Sequence, residues 1–572
     1  MAVGMKLVGT ISLFFQINFI LNVVPSETES LTQYKPNTVL IEILVRNKAH
    51  TLPYFLTYLE RLEYPKDRIS LWIRSDHNQD NSLEILNKWL DANRDYYHSV
   101  DFEFDSKNER IEGEIGPSHW PKSRYTHIIS LRETALKRAR HKWADYLMVL
   151  DCDVFITNPK TLRKLIDTGH TVISPMLRSD GLYSNFWCGM TEDFYYQRTD
   201  DYTNILNMHN KGCHKVPMVH SFVLIDLRVL STDWLTYVPG NLESINVPHD
   251  DIITFALSAN LSGIAMHVCN DEFYGYVMVP LEVDDGISYD LLQLKNLKLE
   301  VLVDNPPMET SHLLSPYVQQ PNEAQLDIEK VFMINLKRRP DRRERMLNSL
   351  KELNIEAEII EAVDGQTLTD EELVRLGVKL MPGYYDPFHM RPMKRGEIGC
   401  FLSHYKIWEQ AVRNNYNMVM VLEDDVRFEP FFNQKMHSLL EEIRNLPIEW
   451  DLIYLGRKRL DESSEEPVEG SQLLVYASYS YWTIGYLLSA SGAAKLIRQD
   501  PLSNILPVDE YLPILYDKHP EEQWKAFYPI RDLVALSSQP LVIYPTRYLH
   551  EEGYISDTED SPTVTTTPNP EL

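Results

Sequence analysis

Short apolar runs and helix-spaced apolar positions alternate along the first half of this chain. Val39–Val45 is a β-branched apolar run of strand length, and Leu52–Leu62 carries apolar residues at helical spacing. The same alternation predicts further strands at Ile69–Ile73, Tyr146–Leu150, Thr171–Ser174 and Phe222–Leu227, and further helices at Leu83–Leu90, Thr126–Trp143 and Asp251–Leu257. Alternating strands and helices are typical of a mostly parallel sheet that is covered on both faces.

The alternation stops between Asp304 and Leu326, where proline-containing dipeptides favour an extended linker. It resumes at Lys330. The second half has predicted strands at Val331–Leu336, Glu358–Ala362, Met418–Leu422, Leu452–Leu455 and Trp482–Leu488, and predicted helices at Arg338–Arg345 and Leu402–Val412. The chain is therefore predicted to be an α/β protein with two tandem Rossmann-like domains, at 36–304 and 328–550, joined by a linker at 305–327.

The two ends of the chain differ from the rest. Lys6 precedes the apolar run Leu7–Val24, which polar residues follow, and this pattern predicts a secretory signal peptide over residues 1–28. The same run is long enough for an uncleaved membrane anchor, and this alternative stays open. No other stretch of the sequence is apolar enough to span a bilayer. Residues 551–572 are acidic and then rich in Thr and Pro, which predicts a disordered tail.

Composition narrows the class of partner. The 572 residues include 83 acids and 56 bases, which gives a formal net charge of −27, and 44% are hydrophobic. The acidic balance argues against a nucleic-acid partner, because phosphate contacts need a basic face. It suits a metal site or a basic polypeptide substrate, although a solvated acidic surface is the commoner cause of such an excess.

Cysteine spacing and one sequon add two smaller expectations. The five cysteines form no Cys-x-x-Cys pair, which argues against a zinc knuckle. Four of them lie in the first half, where one or two disulfides are expected in an oxidising compartment, with a pairing that the sequence leaves open. Asn260-Leu261-Ser262 is a sequon for N-glycosylation.

Two acids end a buried strand of the first half. Tyr146–Leu150 leads into Asp151-Cys152-Asp153. Residues at i and i+2 of an extended chain point to the same side, so both carboxylates can face one cation. Open α/β sheets bind ligands beyond the carboxyl ends of their strands, and oxygen ligands favour Mg²⁺ or Mn²⁺. The pair therefore predicts a site for a metal-bound diphosphate, although Asp-x-Asp alone is a weak motif.

The second half contains a comparable feature. The strand Met418–Leu422 ends in Glu423-Asp424-Asp425. By the same parity argument Glu423 and Asp425 share one face, and Asp424 faces away from it. Adjacent acids repel one another, which favours a cation at this position. The alternative is a charged loop after a strand.

Five motifs of the second half follow one another in an order that resembles glycosyltransferase family 25. They are Val331-Phe-Met-Ile-Asn-Leu-Lys-Arg-Arg-Pro-Asp-Arg-Arg, Ala362-Val-Asp-Gly365, Gly396-Glu-Ile-Gly-Cys-Phe-Leu-Ser-His404, Leu422-Glu-Asp-Asp425 and Pro507-Val-Asp-Glu510. The resemblance covers nearly all of the second half. Together with the first half and its Asp-x-Asp pair, the whole architecture resembles the procollagen galactosyltransferases of that family.

The resemblance implies a fold, a reaction and a location. It implies two tandem type A glycosyltransferase domains and the inverting transfer of galactose from UDP-galactose to hydroxylysine of collagen. The implied cofactor is Mn²⁺, with Mg²⁺ as an alternative, and the implied partners are a collagen-like polypeptide, the UDP-sugar and a second copy of the chain in a homodimer. The implied location is the lumen of the endoplasmic reticulum, although the terminal Asn569-Pro570-Glu571-Leu572 is a degenerate retention signal.

Site residues are predicted on this basis. Metal binding is predicted for Glu423 and Asp425, and in the first half for Asp151 and Asp153. Asp509 is predicted to be the base that takes the acceptor proton, with Glu510 as its substitute, and a helix cap is the alternative. The residues predicted to bind the donor are Asn335, Lys337, Arg338, Asp364, His404 and, in the first half, Asp76. A solvated helix face is the alternative for the arginines, a structural histidine for His404, and a helix-capping turn for the segment with Asp76.

Two questions stay open at the level of sequence. The first is which half catalyses the transfer; the family motifs favour the second half and leave the first as a donor-binding, scaffold or second catalytic domain. The second is whether the chain is an enzyme, because a relative that binds collagen without catalysis would share the fold. Intact acids in both motifs favour the enzyme. A glycoside hydrolase also needs paired carboxylates but not a cation site.

Overall fold

The computed structural model of the chain describes residues 35–242, 247–461, 465–549, 551 and 553–564. Two central sheets, each packed between helices, confirm the predicted α/β class. The signal-peptide prediction and the degenerate retention signal lie outside the described residues. Among the residues described, none of the helices combines the length and the apolarity needed to cross a membrane.

The first sheet has eight strands. In spatial order they are Cys213–Val216, Met266–Cys269, Val172–Pro175, Phe222–Asp226, Tyr146–Asp151, Val39–Val45, Ile69–Ser75 and Ser99–Phe104. Four neighbouring pairs are parallel and three are antiparallel. The parallel part contains Tyr146–Asp151 beside Val39–Val45, so Asp151 lies at the edge where these strands end. The disulfide Cys213–Cys269 joins the two strands at the far side of the sheet.

The second sheet has seven strands. Their spatial order is Glu358–Glu361, Lys330–Asn335, Met418–Leu422, Ser480–Ser489, Leu452–Arg459, Ala535–Ser538 and Leu474–Tyr476. Lys330–Asn335 is parallel to both of its neighbours. Asn335 and Leu422 therefore end their strands at the same edge, and the polar residues that follow each strand meet there.

Helices and small two-stranded sheets complete the two domains. The helices of the first domain are Leu52–Arg61, Ser82–Asn93, Lys122–His141, Thr161–Asp167, Asp200–Leu206, Asp251–Leu261 and Ile287–Asp304. Those of the second are Pro340–Glu352, Asp370–Arg375, Arg395–Asn414, Phe432–Asn445, Ala490–Arg498, Val508–Leu515 and Glu522–Lys525. The two-stranded sheets are Val154–Ile156 with Gly275–Val277, Phe186–Trp187 with Met218–Val219, Gly189–Met190 with Tyr196–Gln197, and Val426–Phe428 with Ile543–Pro545.

The helix Ile287–Asp304 contacts both domains. Its Leu297 lies in the core of the first domain, whereas Leu299 packs in the core of the second. The side-chain oxygen of Asn296 accepts a hydrogen bond from the backbone of Phe431 at 2.8 Å, and the buried Lys298 pairs with Glu352. This helix has apolar residues on most of its faces, as expected when both sides are buried.

Two segments differ from the sequence-based expectation. Residues 305–327, which the sequence predicts to be an extended linker, pack on the first domain, where Leu314 is fully buried. The tail was predicted to be disordered from residue 551, whereas residues 553–564 fold against the second domain and bury Ser561 and Val564. Composition indicates disorder when a segment cannot bury apolar surface by itself. Here the second domain supplies the surface against which the segment is buried.

Candidate active sites at the ends of the two sheets

In the second domain the acidic triplet follows the strand Met418–Leu422 and turns its side chains to different partners. Glu423 accepts hydrogen bonds from Thr483 at 2.8 Å and faces His404 at 3.3 Å. Asp424 accepts from Asn335 at 2.7 Å and from Arg342 at 3.2 Å. All three carboxylates line a cavity of about 150 Å³.

Asp425 is the least satisfied of the three acids. Its buried Oδ1 has no hydrogen-bond partner among the described residues, and its Oδ2 lies 3.6 Å from Arg342. Burial, together with the charge of Glu423, raises the pKa of Asp425 to about 6. For Glu423 burial acts in the same sense, but the hydrogen bonds from His404 and Thr483 outweigh it and lower its pKa. An open carboxylate oxygen beside a second carboxylate offers two oxygen ligands of the kind that a divalent cation takes.

His404 is held in one tautomer by its neighbours. It lies on the helix Arg395–Asn414 and is fully buried, with Nδ1 3.0 Å from the hydroxyl of Tyr486. Trp408 donates its indole N–H to the same hydroxyl. The carboxylate of Glu423 can only accept, so the proton of the imidazole is assigned to Nε2, which faces it. His404 therefore donates to Glu423 and fixes its orientation. Sγ of Cys400 lies within 4.8 Å of His404 and Glu423.

Of the five residues of the second domain that were predicted to bind the donor, three line this cavity. Arg338, Asp364 and His404 line it, and Arg338 donates to Asp364 at 2.7 Å. Asn335 is buried behind the cavity, where it holds Asp424. Lys337 is exposed and lies beyond the cavity lining.

Asp509 and Glu510 begin the helix Val508–Leu515. Both oxygens of Glu510 are taken, since Tyr479, Tyr481 and His519 donate to them. Oδ1 of Asp509 is buried and has no partner among the described residues. Burial, together with the charge of Glu423, raises the pKa of Asp509 to about 8. Of the two predicted bases, Asp509 is thus the one with an oxygen that no group in the described part of the chain occupies, although its side chain is not part of the cavity lining.

Trp482 supports Asp509 through a strained backbone. Its φ of 72° is in the left-handed region, which is rare for a bulky residue, and its backbone hydrogen bond acts on the Asp509 carboxyl. Non-glycine residues in this region cost about 1–3 kcal/mol and concentrate at functional sites. The sequence carries no signal of this conformation, because it depends on an irregular register between two strands of the sheet.

In the first domain the Asp-x-Asp carboxylates already have cationic partners. Arg132 lies 2.9 Å from Asp151, and Lys48 lies 3.0 Å from Asp153. Arg132 also contacts Asp251 at 2.8 Å. The acids line a cavity of about 510 Å³ that is larger than the one in the second domain. A cation at this pair would therefore have to compete with the two side-chain charges.

Asp76 lines the same cavity as the Asp-x-Asp pair, although 75 residues of sequence separate it from Asp151. Its two oxygens face His77 at 2.8 Å and His127 at 2.7 Å. Although burial opposes the change, these hydrogen bonds lower its pKa. The alternative for this segment was a helix-capping turn. Asp80 accepts a hydrogen bond from the backbone N–H of Ser82 at 3.0 Å, at the start of the helix. The Asn81 side chain makes no cap hydrogen bond.

The structure adds residues that the sequence analysis did not select. Arg342 and Arg345 hold the acidic triplet, and Asp557 from the chain end lines the cavity. The predicted helix Arg338–Arg345 could have pointed to Arg342 as a further donor-binding residue, because it lies four positions after Arg338. The observed helix begins two residues after Arg338, at Pro340. No local signal connects Asp557 to residues more than 200 positions earlier.

Comparison with known proteins places the chain among glycosyltransferases. A family model described as "Glycosyltransferase family 25, N-terminal domain" matches residues 35–298, and one described as "Glycosyltransferase family 25 (LPS biosynthesis protein)" matches residues 328–512. The "Glycosyltransferase 25 family member" of Anopheles gambiae is 52% identical over 534 residues, which cover 93% of this chain and 90% of that protein. "Procollagen galactosyltransferase 2" of Homo sapiens is 47% identical over 525 residues, covering 92% and 83%.

Solved structures give more distant matches. The mannosyltransferase PcManGT from Pyrobaculum calidifontis, in complex with GDP-Man and Mn²⁺, is 12% identical and aligns over 54% of this chain and 76% of its own with a TM-score of 0.27. TarS 1-349 of S. aureus in complex with UDP is 15% identical over 49% and 70%, also with a TM-score of 0.27. Both TM-scores are too low to support a conclusion about the residues of the site.

Proposed function

This chain belongs to glycosyltransferase family 25, and on that premise we propose that its second domain transfers galactose from UDP-galactose to hydroxylysine of collagen. The family membership confirms the resemblance of the five ordered motifs and the prediction of a glycosyltransferase. The relatives named procollagen galactosyltransferases support collagen as the acceptor and galactose as the sugar. The observation that carries the proposal is the pair Glu423 and Asp425 in one cavity with Arg338 and Arg342.

The charges of this cavity suit a metal-bound nucleoside diphosphate. The open Oδ1 of Asp425 and the Glu423 carboxylate, which His404 orients, fit the oxygen-ligand preference of Mn²⁺ or Mg²⁺. Such an ion, when bound, would stabilise the negative charge on the departing diphosphate. Arg338 and Arg342 place guanidinium groups at the same cavity, and these groups recognise phosphate oxygens through paired N–H donors.

The chemistry proposed for the chain is an inverting displacement. The hydroxyl oxygen of hydroxylysine attacks the anomeric carbon of galactose as the bond from that carbon to the UDP oxygen breaks on the opposite face. Burial and the charge of Glu423 favour the protonated form of Asp509, and a cation held at Glu423 would offset the second of these causes and favour the ionised form. In that form Asp509 takes the hydroxyl proton through its unpartnered oxygen. The charge that UDP gains faces the arginines. Glu510 keeps Tyr479 and Tyr481 in place beside this base.

The first domain is proposed to be accessory to this reaction. Its Asp151 and Asp153 lie within 3.0 Å of Arg132 and Lys48, whereas Asp425 in the second domain has a buried oxygen without a hydrogen-bond partner among the described residues. A nucleotide-binding or scaffold role suits its larger cavity. We also propose that the chain acts in the lumen of the endoplasmic reticulum, which rests on the sequence of its N-terminus and on the collagen acceptor.

The test is release of UDP from UDP-galactose in the presence of a hydroxylysine-containing collagen peptide. The wild type should turn over with Mn²⁺ and stop with EDTA. Asp425→Ala should lower peptide-dependent turnover at least about 100-fold, as expected when a charge-stabilising group is removed. Asp153→Ala, the matched change in the first domain, should retain most of it. Loss of activity in Asp153→Ala alone would assign the reaction to the first domain. If the wild type binds the peptide but does not turn over, the chain is instead a collagen-binding relative without catalytic activity.

A further inference from the structure

The end of the chain forms one wall of the second-domain cavity. Residues 553–564, here called the C-terminal strap, follow the strand Ile543–Pro545 in the chain and contact the start of the helix Arg395–Asn414. Residues 554–558 of the strap line the cavity, together with the acidic triplet and His404. This placement rests on packing that the local composition does not predict, since the strap is acidic and contains no Lys or Arg.

The strap is anchored at the start of the helix Arg395–Asn414. Backbone hydrogen bonds join Arg395 N–H to the carbonyl of Pro562 and Val564 N–H to the carbonyl of Met393, both at 2.9 Å. The hydroxyl of Ser561 accepts from the backbone of Gly396 at 2.8 Å. A Cβ on Gly396 would lie 2.8 Å from the Thr558 backbone, so glycine permits this close approach. These contacts make the strap a fixed part of the domain.

One strap carboxylate enters the arginine cluster at the cavity. Asp557 pairs with Arg338, with Arg339 at 2.8 Å and with Arg342 at 3.8 Å, and its side chain is 13% exposed. The strap backbone adds a second contact, because the carbonyl of Ile555 accepts from Arg342 at 2.8 Å. The three arginines lie within five residues of sequence and would repel one another without a shared counter-charge.

Each cavity arginine is therefore held from two sides. Asp364 holds Nε of Arg338 from the body of the domain, while Asp557 holds its terminal nitrogen from the strap. Asp424 holds Arg342 from the triplet, while Ile555 holds it from the strap. Guanidinium groups that are fixed before binding lose less side-chain entropy when they meet a phosphate, and this raises affinity.

We propose that Asp557 is a positioning residue for the donor, which fixes Arg338 and Arg342 to receive the diphosphate of the sugar nucleotide. The inference rests on the proposed function of the same cavity. It assigns the C-terminal strap to the donor site rather than to a solvent-exposed tail. The competing role for Asp557 is that of a carboxylate that occupies the phosphate position and has to leave, and this role gives the opposite sign in the test below.

The experiment compares full-length Asp557→Asn, Asp557→Glu and Asp560→Asn with the wild type. Asp560 is the matched control, since it lies on the exposed side of the same strap and loses the same charge. Calorimetric titration with UDP and Mn²⁺ measures the affinity for UDP. The same titration of Asp425→Ala identifies which part of the binding belongs to the second-domain site, because that variant should lose it. Steady-state transfer gives KM for the donor and kcat.

Asp557→Asn should weaken UDP binding and raise the donor KM by roughly tenfold, which is about 1.4 kcal/mol of binding free energy, with kcat within about twofold. Asp557→Glu should recover most of the affinity, and Asp560→Asn should match the wild type. Tighter or unchanged UDP binding by Asp557→Asn would overturn the positioning role. Absence of UDP binding in the wild type would instead overturn the proposed function, so the two failures are distinguishable.

Discussion

Asp509 and Glu510 are neighbours in the sequence, yet their carboxylates have different surroundings. Glu510 accepts hydrogen bonds from two tyrosines and His519, and it is 2% exposed. Asp509 has a buried oxygen without a partner and a pKa raised to about 8. One carboxylate is therefore fully used by the fold, while the other is left poised for proton transfer.

Asp509→Asn should abolish transfer and stabilise the metal-free protein. Removal of a general base lowers kcat by about 100-fold or more. The folded-state pKa of Asp509 lies above its unfolded value, so the folded state keeps a proton that the unfolded state has lost between about pH 4 and pH 8. The wild type therefore loses stability as pH rises through this window, and Asn avoids that loss. Melting temperatures at pH 5 and pH 8 should show a gain for Asp509→Asn that is larger at pH 8.

Glu510→Gln serves as the adjacent control and should have the opposite effect on stability. Its three donors lose a charged acceptor, which costs about 1–3 kcal/mol of unfolding free energy. A melting temperature for Glu510→Gln at or above that of the wild type would contradict the structural role given to Glu510.

At the scale of elements, the helix Arg395–Asn414 organises the second-domain site. Its first turn holds the C-terminal strap through Gly396, and two turns later His404 orients Glu423. Buried apolar residues, including Ile398, Phe401 and Trp408, fix this helix on the sheet. The strap and the metal-binding acids are thus positioned by the same rigid element.

Gly396→Ala should release the strap without unfolding the domain. The added Cβ would lie 2.8 Å from both Thr558 Cα and the Thr558 carbonyl, which are backbone atoms that cannot turn away. Hydrogen exchange across residues 553–564 should become at least about tenfold faster, because local opening then needs less free energy. Gly240→Ala is the control, since nothing lies within 4 Å of the position of its Cβ. Wild-type protection of the strap in Gly396→Ala would contradict this packing.

At the scale of the whole molecule, the helix Ile287–Asp304 couples the two domains. Its Lys298 lies over the ring of Tyr54 in the first domain and pairs with Glu352 in the second. Tyr289 stacks on Phe431 with 5.2 Å between ring centroids. Because the helix contributes to both cores, a fragment that begins at residue 305 would expose apolar surface of the second domain that Leu299 covers.

Glu352→Gln should weaken this coupling. It leaves the Lys298 ammonium buried without its counter-charge, which costs on the order of 3 kcal/mol. Calorimetry should show a lower melting temperature and a separation of the two domain transitions. Arg427→Gln removes a half-exposed pair with Glu300 on the same helix and should cost less than about 1 kcal/mol. Equal effects of the two variants would contradict a specific role for the buried pair.

Local pattern alone determined the elements that build the two sheets. Val39–Val45 and Met418–Leu422 have the predicted bounds, because a strand buried on both faces is mostly apolar along its length; Glu42 is the one polar residue in the first of them. Acids at the end of such a strand predict a ligand-binding edge, because open α/β sheets bind ligands beyond the carboxyl ends of their strands. The order of motifs was sufficient to identify the family.

Tertiary structure decided which of the candidate carboxylates have a buried oxygen without a hydrogen-bond partner. Asp153 and Asp425 are alike in sequence context, but Asp153 lies 3.0 Å from Lys48, whereas Oδ1 of Asp425 is buried without a hydrogen-bond partner in the described part of the chain and Arg342 stands 3.6 Å from Oδ2. The strap reaches Arg338 and Arg342 across more than 200 residues, and its sequence by itself is that of a disordered tail. Such outcomes depend on which distant groups share a buried space, because desolvation and charge act through distance and not through sequence position.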